Sequence, residues 1–252
     1  MNRFDNIDCM IGMAGLEDKS IDMILCDLPY GTTACKWDTI IPFEPLWKEY
    51  KRIIKDNGAI VLTASQPFTS KLVMSNIKMF KYEWIWEKDK PSNFALANNQ
   101  PMKYHENICV FYKKQPTYNK QKLIGDKPVN KNSIKNRTSE GVIGTIILPQ
   151  NQAGGNLKRN PKSIVKFNMI KHNQIEYNEH PTQKPVALFE YLIKTYTNEG
   201  ETVLDNCAGS GTTGVACLKT NRNYIMFELD EDYYNSAQKR LTQFRSQLKL
   251  DI

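Results

Sequence analysis

No run in this 252-residue chain approaches the roughly 18–20 apolar residues that span a bilayer. The first residues, Met1-Asn2-Arg3-Phe4-Asp5, lack the apolar core of a signal peptide. A cytoplasmic protein with no membrane partner is therefore the expectation. The six cysteines (Cys9, Cys26, Cys35, Cys109, Cys207, Cys217) form no Cys-x-x-Cys pair, and His105, His172 and His180 complete no zinc pattern with them. That predicts reduced, mostly buried thiols and no metal. A core is not lacking. At 40% hydrophobic and 10% aromatic residues the chain suits one large α/β domain or two small ones rather than disorder.

Acidic residues are scarce in one place. Between Lys113 and Glu179 stand thirteen basic residues against four acids, a net +9, which leaves −2 for the rest of a chain whose total is +7. The segment is rich in Asn, Gly, Lys and Pro, without repeat or strong periodicity. Its field is that of a nucleic-acid contact surface, with Arg137, Lys158, Arg159 and Lys162 as the candidate phosphate contacts. The alternative is a solvated loop region.

The remaining sequence alternates strands and helices. Ile21 to Cys26 reads as a buried strand, followed by the turn Asp27-Leu28-Pro29-Tyr30-Gly31. A helix is expected from about Phe43 to Lys55, closed by Gly58, then a strand over Ala59–Ala64. A helix over 66–79, a strand over Tyr82–Glu87, a loop over Lys88–Lys103 and a strand over Glu106–Tyr112 complete the first half. Its last strands are expected to pair antiparallel. After the basic segment come a helix over Val186–Tyr196, a strand over Glu201–Asp205, a glycine turn, a helix from Thr212, a strand over Asn223–Glu228 and a terminal helix over Asp232–Leu248. This is an α/β pattern, and in open α/β sheets ligands sit beyond the carboxyl ends of the strands.

Two turns occupy such positions. At the first, Asp27 and a backbone carbonyl can accept hydrogen bonds from an exocyclic amine, and Tyr30 offers a flat face to a heterocycle; Pro29 stiffens the turn. Asp, Pro and Gly are also ordinary turn residues. At the second, Gly209-Ser210-Gly211-Thr212-Thr213-Gly214 is a G-x-G-x-x-G between strand and helix, and Glu228 ends the next strand. Glycines admit a ligand close to the backbone and the acid can hold ribose hydroxyls, which points to an adenosine-containing cofactor. The motif alone fits a nicotinamide dinucleotide or S-adenosylmethionine. Only residues 212–252 follow Gly211, too few for the rest of a dehydrogenase, whereas a C-terminal strand unit can complete the sheet begun at the N-terminus and set the two turns side by side.

These motifs, taken in order, resemble the DNA amino-methyltransferases whose catalytic motif precedes the cofactor motif. Asp27-Leu28-Pro29-Tyr30 resembles the family's D-P-P-Y turn, and Val203 to Thr213 its D-P-F-x-G-S-G-T-T turn. His180-Pro181-Thr182-Gln183-Lys184-Pro185 matches H-P-x-x-K-P, Asp8-Cys9-Met10 resembles G-D-C, and His105-Glu106-Asn107-Ile108 resembles H-E-x-I. Leu28 stands for the first proline and Asn206-Cys207 for Pro-Phe. The resemblance implies a doubly wound Rossmann-like sheet with circularly permuted motif order. It divides the chain into a catalytic half over 1–112, a target-recognition insertion over 113–179 and a cofactor half over 180–252.

The activity implied is methyl transfer from S-adenosylmethionine to an exocyclic amine of a base flipped out of duplex DNA. An aspartate in the first position resembles the adenine-N6 enzymes more than the cytosine-N4 ones. Asp27, Leu28, Pro29 and Tyr30 are the implied catalytic residues. Asp8, Asp205, Gly209, Gly211, Glu228, Thr182 and Lys184 are the implied cofactor contacts, with Asp205, Thr182 and Lys184 near its methionine end. The resemblance also admits a homodimer and a cognate restriction endonuclease as partners. A cytosine-N4 enzyme, an RNA or protein amine methyltransferase and a silent DNA-binding protein are the competing readings.

Overall fold

The computed structural model describes residues 2–33, 35, 38–124, 158–170 and 183–250. Residues 1–119 and 163–252 make one compact unit, and 120–162 a second. In the second unit the described elements are two short antiparallel strands, β6 (Leu123–Ile124) and β7 (Lys158–Arg159).

The larger unit is built on an eight-stranded sheet. Its strands are β1 (Arg3–Asn6), β2 (Ile21–Asp27), β3 (Ile54–Ala64), β4 (Phe80–Glu87), β5 (His105–Phe111), β8 (Ile164–Lys166), β9 (Thr202–Asp205) and β10 (Asn223–Glu228). Their order is β1-β10-β9-β2-β3-β5-β4-β8. From β1 to β3 all neighbours run parallel, and β5 runs antiparallel to both β3 and β4, as expected. The C-terminal strand β9 lies against β2, Met23 opposite Val203 and Ile24 opposite Leu204. The two halves of the sequence thus close one sheet, and the turns after β2 and β9 become neighbours.

The continuous apolar run of β2 follows from coverage on both faces. Met23 and Leu25 pack in a core with α4 (Val186–Tyr196), α5 (Thr212–Lys219) and α6 (Glu231–Leu250). Ile24 and Cys26 pack in the opposite core with α1 (Cys9–Ala14), α2 (Phe43–Ile53) and α3 (Phe68–Ser75). Helices on both faces make the sheet doubly wound. Among the described residues no helix is long and apolar enough to cross a membrane.

Four local expectations are corrected. Helix α2 ends at Ile53 and the chain is extended from Ile54, so Gly58 lies within β3 and closes no helix. A Cβ on Gly58 would stand 2.7 Å from the Asp22 carbonyl, at the irregularity where β2 and β3 change register, and that close approach selects glycine. Helix α3 is shorter than 66–79: Asn76 leaves the helical region, and its carbonyl accepts the Met79 and Phe80 N–H groups in the turn into β4. Strand β1 and helix α1 precede β2 where no element was expected. Ile164 to Lys166, inside the basic segment, pair with Ile85 to Glu87 at the edge of the main sheet, too short a strand to show a period.

Candidate active site

A cavity of about 1100 Å³ opens where β2 and β9 end, and both turns line it. Asp27, Leu28, Pro29 and Tyr30 face it from one side, and Asp8, Asp205, Gly209 and Glu228 from the other, with Lys184 also in the wall.

The Asp27 carboxylate is held by three side chains. Its Oδ1 accepts the Tyr30 hydroxyl at 2.7 Å and the Thr63 hydroxyl, and its Oδ2 meets Lys184 Nζ at 2.5 Å. Thr63 sits opposite Asp27 in the β2–β3 register, so parallel pairing alone delivers its hydroxyl. Lys184 Nζ also lies 3.5 Å from Glu106 Oε2, and Glu106 pairs in turn with Lys88. Four alternating charges thus run along the cavity wall from Asp27 to Lys88, with Lys88 and Lys184 nearly without solvent access. Burial alone would pull the Lys184 pKa down; the Asp27 and Glu106 carboxylates outweigh it and raise it, so the ammonium stays charged. Burial, with Asp27 beside it, pushes the Tyr30 phenol well up, so it remains a neutral donor. One face of the Tyr30 ring is stacked on Phe68, with centroids 5.0 Å apart.

The loop after the catalytic turn is pinned by Asp38. Its carboxylate accepts the N–H groups of Gly31 at 2.8 Å, Thr32 at 2.8 Å and Thr33 at 2.7 Å. Gly31 has φ +66°, a left-handed conformation that favours glycine at this bend.

Across the cavity, Gly209 adopts φ +48° and donates its N–H to Glu228 Oε2 at 2.7 Å, while Asp230 N–H reaches Oε1 at 2.9 Å. Burial pushes the Glu228 carboxyl up. Asp205 accepts the Thr213 hydroxyl at 2.5 Å and Cys207 N–H at 3.1 Å; its burial moves the carboxyl up to about 6. Asp8 caps α1, and both bonds, from Met10 N–H at 2.8 Å and Ile11 N–H at 3.3 Å, go to Oδ1. Oδ2 has no partner among the described residues.

Gly211 stands apart from the cavity lining. It is the left-handed N-cap of α5, where a Cβ would come within 3.0 Å of the Ala237 Cβ, so its task is to let α6 pack close. Lys184, expected near the methionine end of a cofactor, is placed on Asp27 and Glu106. Lys158 and Arg159 form β7 and Lys162 follows it in the smaller unit. Thr182, Arg137 and the side chain of Lys158 lie outside the described residues. Sequence reasoning assigned no role to Thr63, Asp38 or Lys88 and quoted Glu106 only within a motif.

Comparison with known proteins adds a family. A model of the family described as DNA methylase matches residues 21–239. The chain is 48% identical over 251 residues to YubD of Escherichia coli K12, a protein described provisionally as a methylase, covering 96% of this chain and 90% of that one. It is 26% identical over 249 residues to the DNA adenine methyltransferase YhdJ of the same organism, covering 93% and 80%. The crystal structure of an M1.HpyAVI–SAM complex superposes with a TM-score of 0.63 at 24% identity, covering 96% of this chain and 99% of that one, a likeness of fold.

Proposed function

The chain belongs to the DNA methylase family, and from that premise we propose that it methylates the N6 amine of an adenine extruded from duplex DNA, with S-adenosylmethionine as methyl source. The observation that carries this reading is the meeting of the Asp27–Tyr30 turn and the Asp205–Gly209 turn in one cavity. Nothing in the fold separates adenine from cytosine. The aspartate in the first motif position and the adenine methyltransferase relative support adenine.

The residues present fit the cofactor. Glu228 carries a carboxylate fixed by two backbone donors and aimed at ribose hydroxyls, Asp8 keeps Oδ2 for an adenine amine, and Asp205 is a buried acid suited to an ammonium. When bound, S-adenosylmethionine supplies an electrophilic methyl on a sulfonium. The chain then has to orient a weakly nucleophilic amine. Asp27 and the Leu28 carbonyl accept the two amine hydrogens, which turns the nitrogen lone pair toward the methyl, and the Tyr30 ring, with Lys184 Nζ 5.7 Å from its centroid, stacks on the base with the face opposite Phe68. Each carboxylate oxygen has two acceptor sites, so Asp27 can take an amine hydrogen while Thr63 and Tyr30 hold it still. Thr63, Tyr30 and Lys184 fix the Asp27 carboxylate in place, which makes it a positioning acceptor; the gain is orientational. Residues 113–179, with Arg137, Lys158, Arg159 and Lys162, are assigned to the DNA backbone and target recognition. A homodimer and a cognate endonuclease belong to the same reading, on the strength of resemblance, and a DNA substrate favours a cytoplasmic location.

Incubation with duplex DNA and methyl-labelled S-adenosylmethionine, followed by digestion and chromatography of the nucleosides, tests the assignment. Label is expected in N6-methyladenine. Label in N4-methylcytosine would reverse the base and keep the mechanism.

Asp205 adds a pH prediction. Its folded-state pKa of about 6 lies above the ordinary 3.8, so folding takes up a proton and stability falls as pH rises between those values. An ammonium beside it favours the ionised form and reverses the trend. The rise in Tm produced by saturating S-adenosylmethionine should therefore be small near pH 5 and grow to a plateau above about pH 7. Asp205→Asn should flatten that profile; an unchanged profile would remove Asp205 from the methionine end.

A further inference from the structure

The segment between β4 and β5 is braced at its base and apolar at its tip. Lys88 N–H donates to the Tyr104 carbonyl at 2.8 Å and Ser92 N–H to the Lys103 carbonyl at 3.1 Å. Asn93 closes the loop from inside: Oδ1 accepts Lys103 N–H at 2.5 Å and Nδ2 donates to the Pro101 carbonyl at 3.2 Å. A single 3-10 turn, Phe94–Leu96, stands on this base. Lys88 and Ser92 line the cavity, and Lys103 Nζ meets the hydroxyl of Ser65, which lines it too. The loop is therefore footed on the rim of the proposed base pocket.

What it carries outward is unusual for a rim. Phe94 is 76% exposed and Leu96 46%, with Met102 and Tyr104 above 40%. Apolar residues scattered singly on a surface need no explanation, but a group on one braced loop at a cavity mouth marks a contact. The flanks that reach solvent are basic, the exposed Lys90 and the half-buried Lys103 against Asp89, and the Asp89 carboxylate is engaged by Met169 N–H at 2.7 Å. An apolar tip between basic flanks matches a partner that is anionic outside and apolar within, which is the description of a stacked duplex.

We propose that Phe94, backed by Leu96, is a wedge that enters the base stack beside the target and holds the extruded base out. The inference rests on reading the cavity as the pocket for that base. Extrusion costs stacking and pairing, and an apolar side chain filling the gap offsets part of that cost. The wedge touches no reacting atom, so Phe94 is a positioning residue. Its effect should vanish when the target has no pairing partner to leave.

The test compares two duplexes, after the methylated base has been mapped in plasmid DNA incubated with the wild-type enzyme. One duplex is fully paired; the other has an abasic site opposite the target. Phe94→Ala should lose kcat/KM on the paired duplex by on the order of 10- to 100-fold, the scale of the unstacking cost a wedge offsets. On the abasic duplex it should match wild type, with S-adenosylmethionine affinity unchanged, and Phe94→Leu should recover part of the loss. A fluorescent base analogue at the target should brighten with wild type and not with Phe94→Ala. Equal losses on both duplexes, or a defect that tracks a change in oligomeric state by light scattering, would overturn the wedge. Wild-type activity with an unaffected Phe94→Ala sinks the wedge alone, whereas a wild type that leaves duplex DNA unmethylated sinks the pocket reading with it.

Discussion

Replacing Asp27 by Ala is expected to reduce methyl transfer by roughly 10³-fold or more, the scale of loss when a preorganised polar contact to a reacting group is deleted. S-adenosylmethionine should still bind, because Asp8, Gly209 and Glu228 face the cavity from the other strand ends and make none of the bonds that hold Asp27. Removal of the carboxylate also leaves Lys184 with Glu106 as its remaining anion, so part of any loss could be structural. Asp27→Asn separates the two effects. It keeps the side-chain shape and one acceptor oxygen but cannot accept from the amine, Thr63, Tyr30 and Lys184 together. Single-turnover transfer of labelled methyl, alongside calorimetric titration of the cofactor, reads both quantities. Turnover retained by both variants would remove the turn from catalysis.

The sheet was legible because burial on two faces leaves a plain signature. Ile21 to Cys26 reads as an uninterrupted apolar run for the reason that Met23 and Leu25 meet one layer of helices while Ile24 and Cys26 meet the other. The cofactor turn was legible because strand, glycines, helix and Glu228 follow one another in sequence. What stayed hidden depends on register. Thr63 reaches Asp27 only because β3 pairs with β2 in parallel, and Glu106 reaches the site only because β5 runs antiparallel beside β3. No local pattern records either fact. Gly58 misled for a related cause: a glycine after a helical period reads as a stop, while its real constraint is the Asp22 carbonyl on the next strand. Asp8 was legible only through its motif, because β1 and the six-residue α1 around it are too short for periodicity to show.

Lys184 carries the second large effect, and it decides between two roles. In the charge row Asp27, Lys184, Glu106, Lys88, the loss of one cation leaves two carboxylates to share Lys88, which pairs with Glu106 and not with Asp27. Breaking a buried pair from one side costs about 3–5 kcal/mol, so Lys184→Met should lower stability by that amount in denaturant unfolding. In a chain of this size each kcal/mol moves Tm by about 2–4 °C, so the drop in Tm should approach 10 °C. Adding Asp27→Asn to Lys184→Met removes the uncompensated charge and should restore part of the loss, a coupling that a cofactor contact would not produce. If instead Lys184→Met keeps its stability while S-adenosylmethionine affinity falls, the lysine serves the methionine end of the cofactor.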